Sequence, residues 1–429
     1  MAGPLGHLVP AETIACGLVP DSPHPSPSPS RAPAVTVVGI GADGWAAVPD
    51  RLRDLVLHAE VVLGGARHLD LLPDVPGQRR LTWPSPLRTG LPELLTTLGD
   101  GPVVALASGD PLVSGIGATL IEILGRDRVV THPGVSSVAL ARARLGWAAE
   151  SCAVVSLVGR DPALVLRELA PGRRVLVLSS DERTPGRVAE MLTDAGYGAS
   201  ALHVLGDLGA PSESRVTSPA EGWSQDSPRL NVLALELVGP SLVGWTAGLP
   251  DDAFEHDGQL TKRDLRASAL ARLSPTPGGH LWDVGAGAGS IGIEWMRAHP
   301  TCTATAIEGD PERAARIARN ASRLGVPGLQ VVTGRAPADL DGLRTPDAVF
   351  VGGGATAPGV LGACLAALAP AGRLVVHGVT LETERLLAQA FAEHGGELTR
   401  IAVETASPVG SFTGWTPART VTQWAWTRG

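Results

Sequence analysis

Two clusters of glycines in this 429-residue chain are spaced so that a ligand could approach the main chain closely. The more explicit is Asp283 followed by Gly285, Gly287 and Gly289 in LWDVGAGAGSIGIEW (Leu281–Trp295). Lacking Cβ atoms, these glycines leave the backbone open, and the helix predicted behind them presents unpaired N–H groups to an anion. Glu308, at the end of the next predicted strand and 19 positions beyond Gly289, is placed to hold two ribose hydroxyls. The pattern suits a nucleoside-bearing ligand, a dinucleotide among them, and a purely structural turn would look the same. The second cluster joins Gly39 and Gly41 in VTVVGIGADG (Val35–Gly44) with ASGDPLVSGIG (Ala107–Gly117) and HPGVSS (His132–Ser137). Asp110 ends a strand in a glycine turn, where its carboxylate could meet a cationic ligand group or cap the helix opening at Pro111. Val113, Ser114 and Gly115 offer approachable backbone. Ser136 and Ser137 could hydrogen-bond a ligand or cap the helix SVALARARL.

These residues need strands that end at the glycines and helices that begin there. VTVVGIG reads as a buried strand running into a turn, because β-branched residues are followed at once by Gly39 and Gly41. RLRDLVLHAEVVLG gives a helix and a short strand, and PVVALASGDP (Pro102–Pro111) another buried strand. The alternation continues through RRVLVLSS (Arg173–Ser180), the helix Thr184–Gly196 and RLNVLALELV (Arg229–Val238). Glycine, proline and aspartate interrupt it at Gly239–Asp252, and it then restarts, with RLVVHGVT (Arg373–Thr380), ELTRIAVETA (Glu397–Ala406) and VTQWAWTR expected to continue one sheet. Such alternation implies an α/β layer architecture. The expected units are a proline- and serine-rich disordered tail at 1–33, a first domain at 34–240 and a second at 241–429.

Composition removes several classes. A net charge of −8 and 3% aromatic residues argue against a nucleic-acid partner held through phosphates and stacked bases. No apolar run is long enough to span a bilayer, so no membrane partner is expected. Four scattered cysteines without CxxC spacing suggest neither a disulfide framework nor a metal site, and point to the cytoplasm. Lys262 is the only lysine, so any anion-binding surface must be built mainly of guanidinium groups.

DVGAGAGSIGIEW, AIEGDPERAARIARN and a later strand followed by GRAPADL resemble, in order, the motifs of the Rossmann-like class I methyltransferases. The preceding stretch Gly248–Leu273 is similar to the opening segment of the decarboxylating precorrin methyltransferases. The resemblance implies S-adenosylmethionine as cofactor and brings Thr261 and Lys262 near it. Where many class I enzymes carry an acidic residue for the adenine amine, this chain has Arg335, so backbone contacts at Ala336 would serve. The first half resembles the tetrapyrrole methylase family, or class III methyltransferases, on VVGIGADG, SGDP, PGVSS, SLVGR and LGDLGAPSESRV; Ala42 replaces a common proline. That family is two-lobed and binds the methyl donor in a cleft.

The implied enzyme carries two S-adenosylmethionine sites, one per domain, and methylates a precorrin of cobalamin biosynthesis at two ring carbons. The first domain would act on carbon 5, the second on carbon 15 with loss of an acetate carboxyl. Arginines should grip the substrate's carboxylates; the candidates are Arg160, Arg215, Arg263 and Arg266. Lys262 and His377 are the candidate acid–base groups, although His377 would also pass as a satisfied core histidine. Related domains assemble, so a homo-oligomer is expected. The competing readings are a cobalt-precorrin substrate, an RNA substrate, and one half decayed into a scaffold.

Overall fold

The chain's short β-branched runs form strands that stop where glycine or proline interrupts them. A computed structural model describes residues 34–240 and 244–429; the expected tail, 1–33, lies outside the described residues. The first sheet comprises β1 (Val35–Ile40), β2 (Val61–Gly64), β3 (Arg79–Thr82), β4 (Val103–Ser108) and β5 (Val129–His132). Its order is β3-β2-β4-β1-β5 and every pairing is parallel. Both faces are covered, so β1, β2 and β4 are almost continuously apolar, as parallel strands require.

A second, mixed sheet follows: β6 (Cys152–Ser156), β7 (Arg174–Leu178), β8 (Ala201–Gly206), β9 (Ser214–Pro219) and β10 (Asn231–Glu236), in the order β6-β7-β10-β8-β9. Only β6 and β7 run parallel; the other pairs are antiparallel. The two sheets are the two lobes implied by the resemblance to tetrapyrrole methylases.

The third sheet has five parallel strands: β11 (His280–Val284), β12 (Thr303–Glu308), β13 (Gln330–Thr333), β14 (Ala348–Val351) and β15 (Arg373–Gly378). Beyond them lie β16 (Glu397–Ile401), a separate hairpin of β17 (Glu404–Val409) and β18 (Phe412–Pro417), and β19 (Val421–Thr427). The sheet order is β13-β12-β11-β14-β15-β19-β16, so the last strand slots antiparallel between β15 and β16. This is the Rossmann-like half of the expected α/β architecture.

One expectation fails here. Glu397–Ala406 is not a single strand: pairing with β19 ends at Ile401↔Val421, and from Glu404 the chain pairs with Phe412–Pro417 around Gly410 (φ 62°). The halves touch where the helix Pro311–Arg323 and Gly325 meet Pro162–Glu168, but their apolar cores are separate. Each buried apolar cluster draws its residues wholly from before Pro240 or wholly from after Gly248.

Candidate active sites

The C-terminal cleft, about 880 Å³, opens at the carboxyl ends of β11, β12, β14 and β15. All of β11 is buried, and the chain leaves it through Gly285 (φ 68°), Gly287 (φ 59°) and Gly289 (φ 75°) before the helix Ser290–Ala298. Each value lies in the left-handed region, where a Cβ is costly. Space forbids one as well: at Gly285 it would lie 2.7 Å from the Gly353 carbonyl oxygen, at Gly287 2.9 Å from that of Gln259, and at Gly289 2.7 Å from Ile317 Cγ2. The cradle is thus closed below by Gly353 and above by the segment around Gln259.

Glu308 reaches into the cleft from the end of β12. Its Oε2 accepts from Gly287 N (2.8 Å) and its Oε1 from Asp310 N (3.0 Å). A carboxylate has about four lone-pair directions, so two remain for ribose hydroxyls. Asp283, expected beside it as a cofactor ligand, does something else. It is 1% exposed, its Oδ2 accepts from Gly292 N (2.9 Å), and burial pushes its pKa up to about 7. It fastens the helix to the strand from beneath the turn and does not line the cleft. Gly289 likewise shapes the turn without lining it.

The cover segment Gly258–Lys262 forms the facing wall and contains Thr261 and Lys262. Lys262 precedes the helix Arg263–Leu273 without a side-chain capping bond, its Nζ 3.5 Å from Asp251 Oδ2. Arg335 and Ala336 line the far side. The Arg335 side chain lies against Gly309, next to Glu308, and its backbone N donates to Asp339.

Arg266 contradicts its assignment as a substrate ligand. It is 0% exposed, and its guanidinium is consumed by Glu294, Asp251 and the carbonyl oxygens of Leu249 and Thr261. Glu294 also accepts from Gly248 N (2.6 Å) and Leu249 N (3.0 Å). Arg266 therefore anchors the cover segment from inside the protein. Arg263, one residue into the helix, is exposed outside the cleft.

His377 lines the cleft at the end of β15, 9% exposed. Burial lowers its pKa to about 4, so the ring is neutral. The Gln423 amide satisfies both neighbours with its nitrogen 2.9 Å from His377 Nε2 and its oxygen 3.0 Å from Arg272 Nε. His377 also packs edge-on against Phe350, with centroids 5.0 Å apart. It thus has the partners of a core histidine while bordering the cleft. The sequence reading missed the floor at Gly352–Gly354 and the rim at Ala418 and Arg419. Three consecutive glycines after a buried strand were a visible signal for the floor; the rim depends on how the hairpin folds back.

In the N-terminal half, the loops after β1, β4 and β5 meet backbone to backbone. Gly109 N donates to Ile40 O (2.9 Å) and Gly134 N to Gly109 O (3.0 Å). A Cβ on Gly39 would overlap the Gly109 carbonyl oxygen. Two cavities open against this stack, and both are closed on the other side by residues of the second lobe. One, about 490 Å³, is lined by Gly39, Gly41, Ala42, Pro133, Gly134 and Gly209, among others. The other, about 80 Å³, is lined by Gly41, Arg67, Ser108, Gly109, Ser137 and Asn231, among others.

The structure therefore gathers Gly39, Gly41 and Ser137 but sets the other expected ligands apart. Asp110 Oδ1 accepts from Leu112 N (2.9 Å), and Ser136 Oγ caps its helix by accepting from Ala139 N (3.1 Å). Val113 packs against the second lobe, Ser114 takes φ 53°, and Gly115 is the N-cap of Ile116–Leu124. None of these five lines either cavity. Arg160 lies in an exposed turn, and Arg215, on the outer strand β9, sits 3.3 Å from His203 Nδ1.

Residues 34–222 match the family model of tetrapyrrole (corrin/porphyrin) methylases, and 252–428 that of the precorrin methyltransferase domain. A precorrin-6Y C(5,15)-methyltransferase [decarboxylating] of Sinorhizobium sp is 47% identical over 401 residues, 92% of this chain and 97% of that protein. A probable cobalt-precorrin-6B C(15)-methyltransferase (decarboxylating) of Pyrobaculum calidifontis is 35% identical over 39% of this chain and 89% of its own length. A cobalt-precorrin-7 C(5)-methyltransferase of Salmonella typhimurium is 31% identical over 42% of this chain and 88% of its own.

Proposed function

Because the chain belongs to the precorrin-6Y C(5,15)-methyltransferase (decarboxylating) family, we propose a division of its two methylations between its two clefts. The enzyme uses S-adenosylmethionine to methylate precorrin-6Y at carbons 5 and 15 and removes the carboxyl of an acetate arm, giving precorrin-8X in cobalamin biosynthesis. The first unit, residues 34–240, takes carbon 5; the second, 241–429, takes carbon 15 and the decarboxylation. The shorter relatives support a division, since carbon-15 methylation and decarboxylation are named together in one protein and carbon-5 methylation in another, each covering less than half of this chain.

The observation that carries the reading for the second unit is the cradle of Gly285 and Gly287 faced by Glu308, which a Cβ would fill. We assign each unit its own donor site. Gly285, Gly287, Glu308, Thr261, Arg335 and Ala336 hold one; Gly39, Gly41 and Ser137, with the Asp110–Gly115 turn and Ser136 behind them, hold the other. The bound donor supplies an electrophilic methyl group on a sulfonium. The protein's own task is to orient the electron-rich macrocycle and exclude water, so proximity dominates. Decarboxylation leaves electrons in the conjugated ring and calls for a proton. Lys262, an ammonium on the cleft wall, is better suited to deliver it than the neutral His377. Arg263, Arg160 and Arg215 remain outer contacts for substrate carboxylates.

The assembly is read as a cytoplasmic homo-oligomer without nucleic-acid or membrane partners. Among the described residues no helix is long and apolar enough to cross a membrane. The exposed Phe412 and Val409, paired across the hairpin and so on one face of it, offer an apolar patch for self-association, which light scattering would detect. To test the main reading, the full chain is incubated with precorrin-6Y and S-adenosylmethionine, and products are followed by mass spectrometry. Two added methyl groups and one lost carbon dioxide are expected, with two S-adenosylhomocysteine molecules bound per chain by calorimetry. A single bound molecule would refute the two-site reading.

A further inference from the structure

The wall of the smaller N-terminal cavity holds a polar cluster that neither the glycine turns nor the family match explains. Arg67 and His68 lie on the short helix Ala66–Leu69, directly after β2, and Ser108 ends β4. Arg67 Nη2 is 2.9 Å from His68 Nε2 and 3.2 Å from Ser108 Oγ, and Ser108 Oγ is 3.2 Å from the same ring nitrogen. A guanidinium can only donate, so His68 Nε2 must carry a lone pair and the ring proton must sit on Nδ1. That Nδ1 is buried without a partner. Burial, and secondarily Arg67, lowers the His68 pKa to about 4. The ring is neutral, and the cluster's positive charge belongs to Arg67.

Among the described residues, no carboxylate forms an ion pair with that arginine. Asp207 acts on it only across space. Both hydrogen bonds use Nη2, which leaves the rest of the guanidinium fork for a ligand. The cavity it borders, about 80 Å³, has room for a group of a few heavy atoms and not for a ring system. Arg67 is solvent-exposed on one side and lines this cavity on the other, held by His68 and Ser108 beside Gly41 and Gly109, and a guanidinium so fixed at a cavity of that size can seat one carboxylate.

Resting on the reading that this cleft takes the methyl donor and a polycarboxylated tetrapyrrole, we propose that Arg67, oriented by His68 and Ser108, binds a carboxylate there. The carboxylate belongs either to the amino-acid end of the donor or to an arm of the substrate.

The test compares wild type, Arg67→Met and Arg67→Lys in the full chain. Two-site calorimetry is run with S-adenosylhomocysteine and with 5′-methylthioadenosine, which lacks the amino-acid end; carbon-5 methylation is measured at varied precorrin-6Y. If the donor is the source, Arg67→Met weakens S-adenosylhomocysteine at one site by about tenfold or more, the loss of one charged hydrogen bond, and spares methylthioadenosine. If the substrate is the source, donor binding is unchanged and KM for carbon-5 methylation rises by about as much. In both cases carbon-15 methylation is unaffected, and Arg67→Lys, which keeps charge without the fork, recovers part of the loss. Values within about twofold throughout, or equal losses for both nucleosides, overturn the proposal. A wild-type chain that binds S-adenosylhomocysteine but leaves carbon 5 unmethylated would refute the functional reading and the substrate alternative, and the nucleoside pair would still decide the donor alternative.

Discussion

Gly287→Ala is the smallest change that should empty the C-terminal site. Two separable costs are involved. At φ 59° an L-residue is disfavoured by about 1–2 kcal/mol. Its Cβ would also stand 2.9 Å from the Gln259 carbonyl oxygen, so the cover segment must move, and the hydrogen bond from Gly287 N to Glu308 must shift with it. Gly278→Ala isolates the first cost, since Gly278 has φ 85°, open space for 4 Å around the position its Cβ would take, and no place in the cleft. Gly278→Ala should lose about 1–2 kcal/mol of stability, a drop in Tm of roughly 2–8 °C for a domain this size, and Gly287→Ala at least as much because the Gln259 clash adds to it. Only Gly287→Ala should also weaken S-adenosylhomocysteine, at one of two calorimetric sites, by about tenfold or more. Carbon dioxide release from precorrin-6Y should fall with it, while carbon-5 methylation persists. Equal donor affinities in the two variants would refute the argument that the left-handed turn is a ligand cradle.

Glu308→Gln places an amide against two backbone N–H groups and removes the charge; donor affinity should fall about tenfold or more at one site by calorimetry and stay unchanged at the other. Arg266→Met leaves Glu294 buried without its cation, which should cost about 3–5 kcal/mol in thermal unfolding and loosen donor binding through the freed cover segment. His68 and His377 are held neutral, their pKa values falling from 6.5 to about 4. The unfolded chain therefore binds more protons between those values, and the stability they contribute is complete above pH 6.5 and lost as pH falls toward 4. The loss amounts to about 3 kcal/mol each. Urea midpoints across that window should show a shallower pH slope for His377→Gln than for wild type; identical slopes would contradict the assignment.

The glycine turns were legible because sterics leave no alternative residue at Gly287 or Gly39, and strand-then-glycine runs name the carboxyl end of a parallel sheet. Which neighbouring polar groups face the ligand was less so. Asp283 and Glu308 both end strands, yet one is spent beneath its own turn and the other opens into the cleft, a difference of register that spacing does not encode. Asp110 and Ser136 make local bonds that a turn or cap would make with or without a ligand nearby. Arg266 did carry a warning: it shares the helical face of Ala269, Leu270 and Leu273, all buried, so periodicity placed it inside. Arg67 gave no signal, since its partners His68 and Ser108 meet only when β2 and β4 pair.

The position of β19 has a consequence for the order in which the polypeptide becomes native during synthesis. Both N-terminal sheets are complete once β10 has left the ribosome, so that half can settle while translation continues. The C-terminal sheet has no such freedom. Until Val421–Thr427 emerges, β15 and β16 have no strand between them, Trp424 is missing from the core, and the open edge of β15 is exposed to any unpaired strand nearby. A nascent chain stalled before Val421 should therefore be the aggregation-prone form, with one half already folded and the other unable to close.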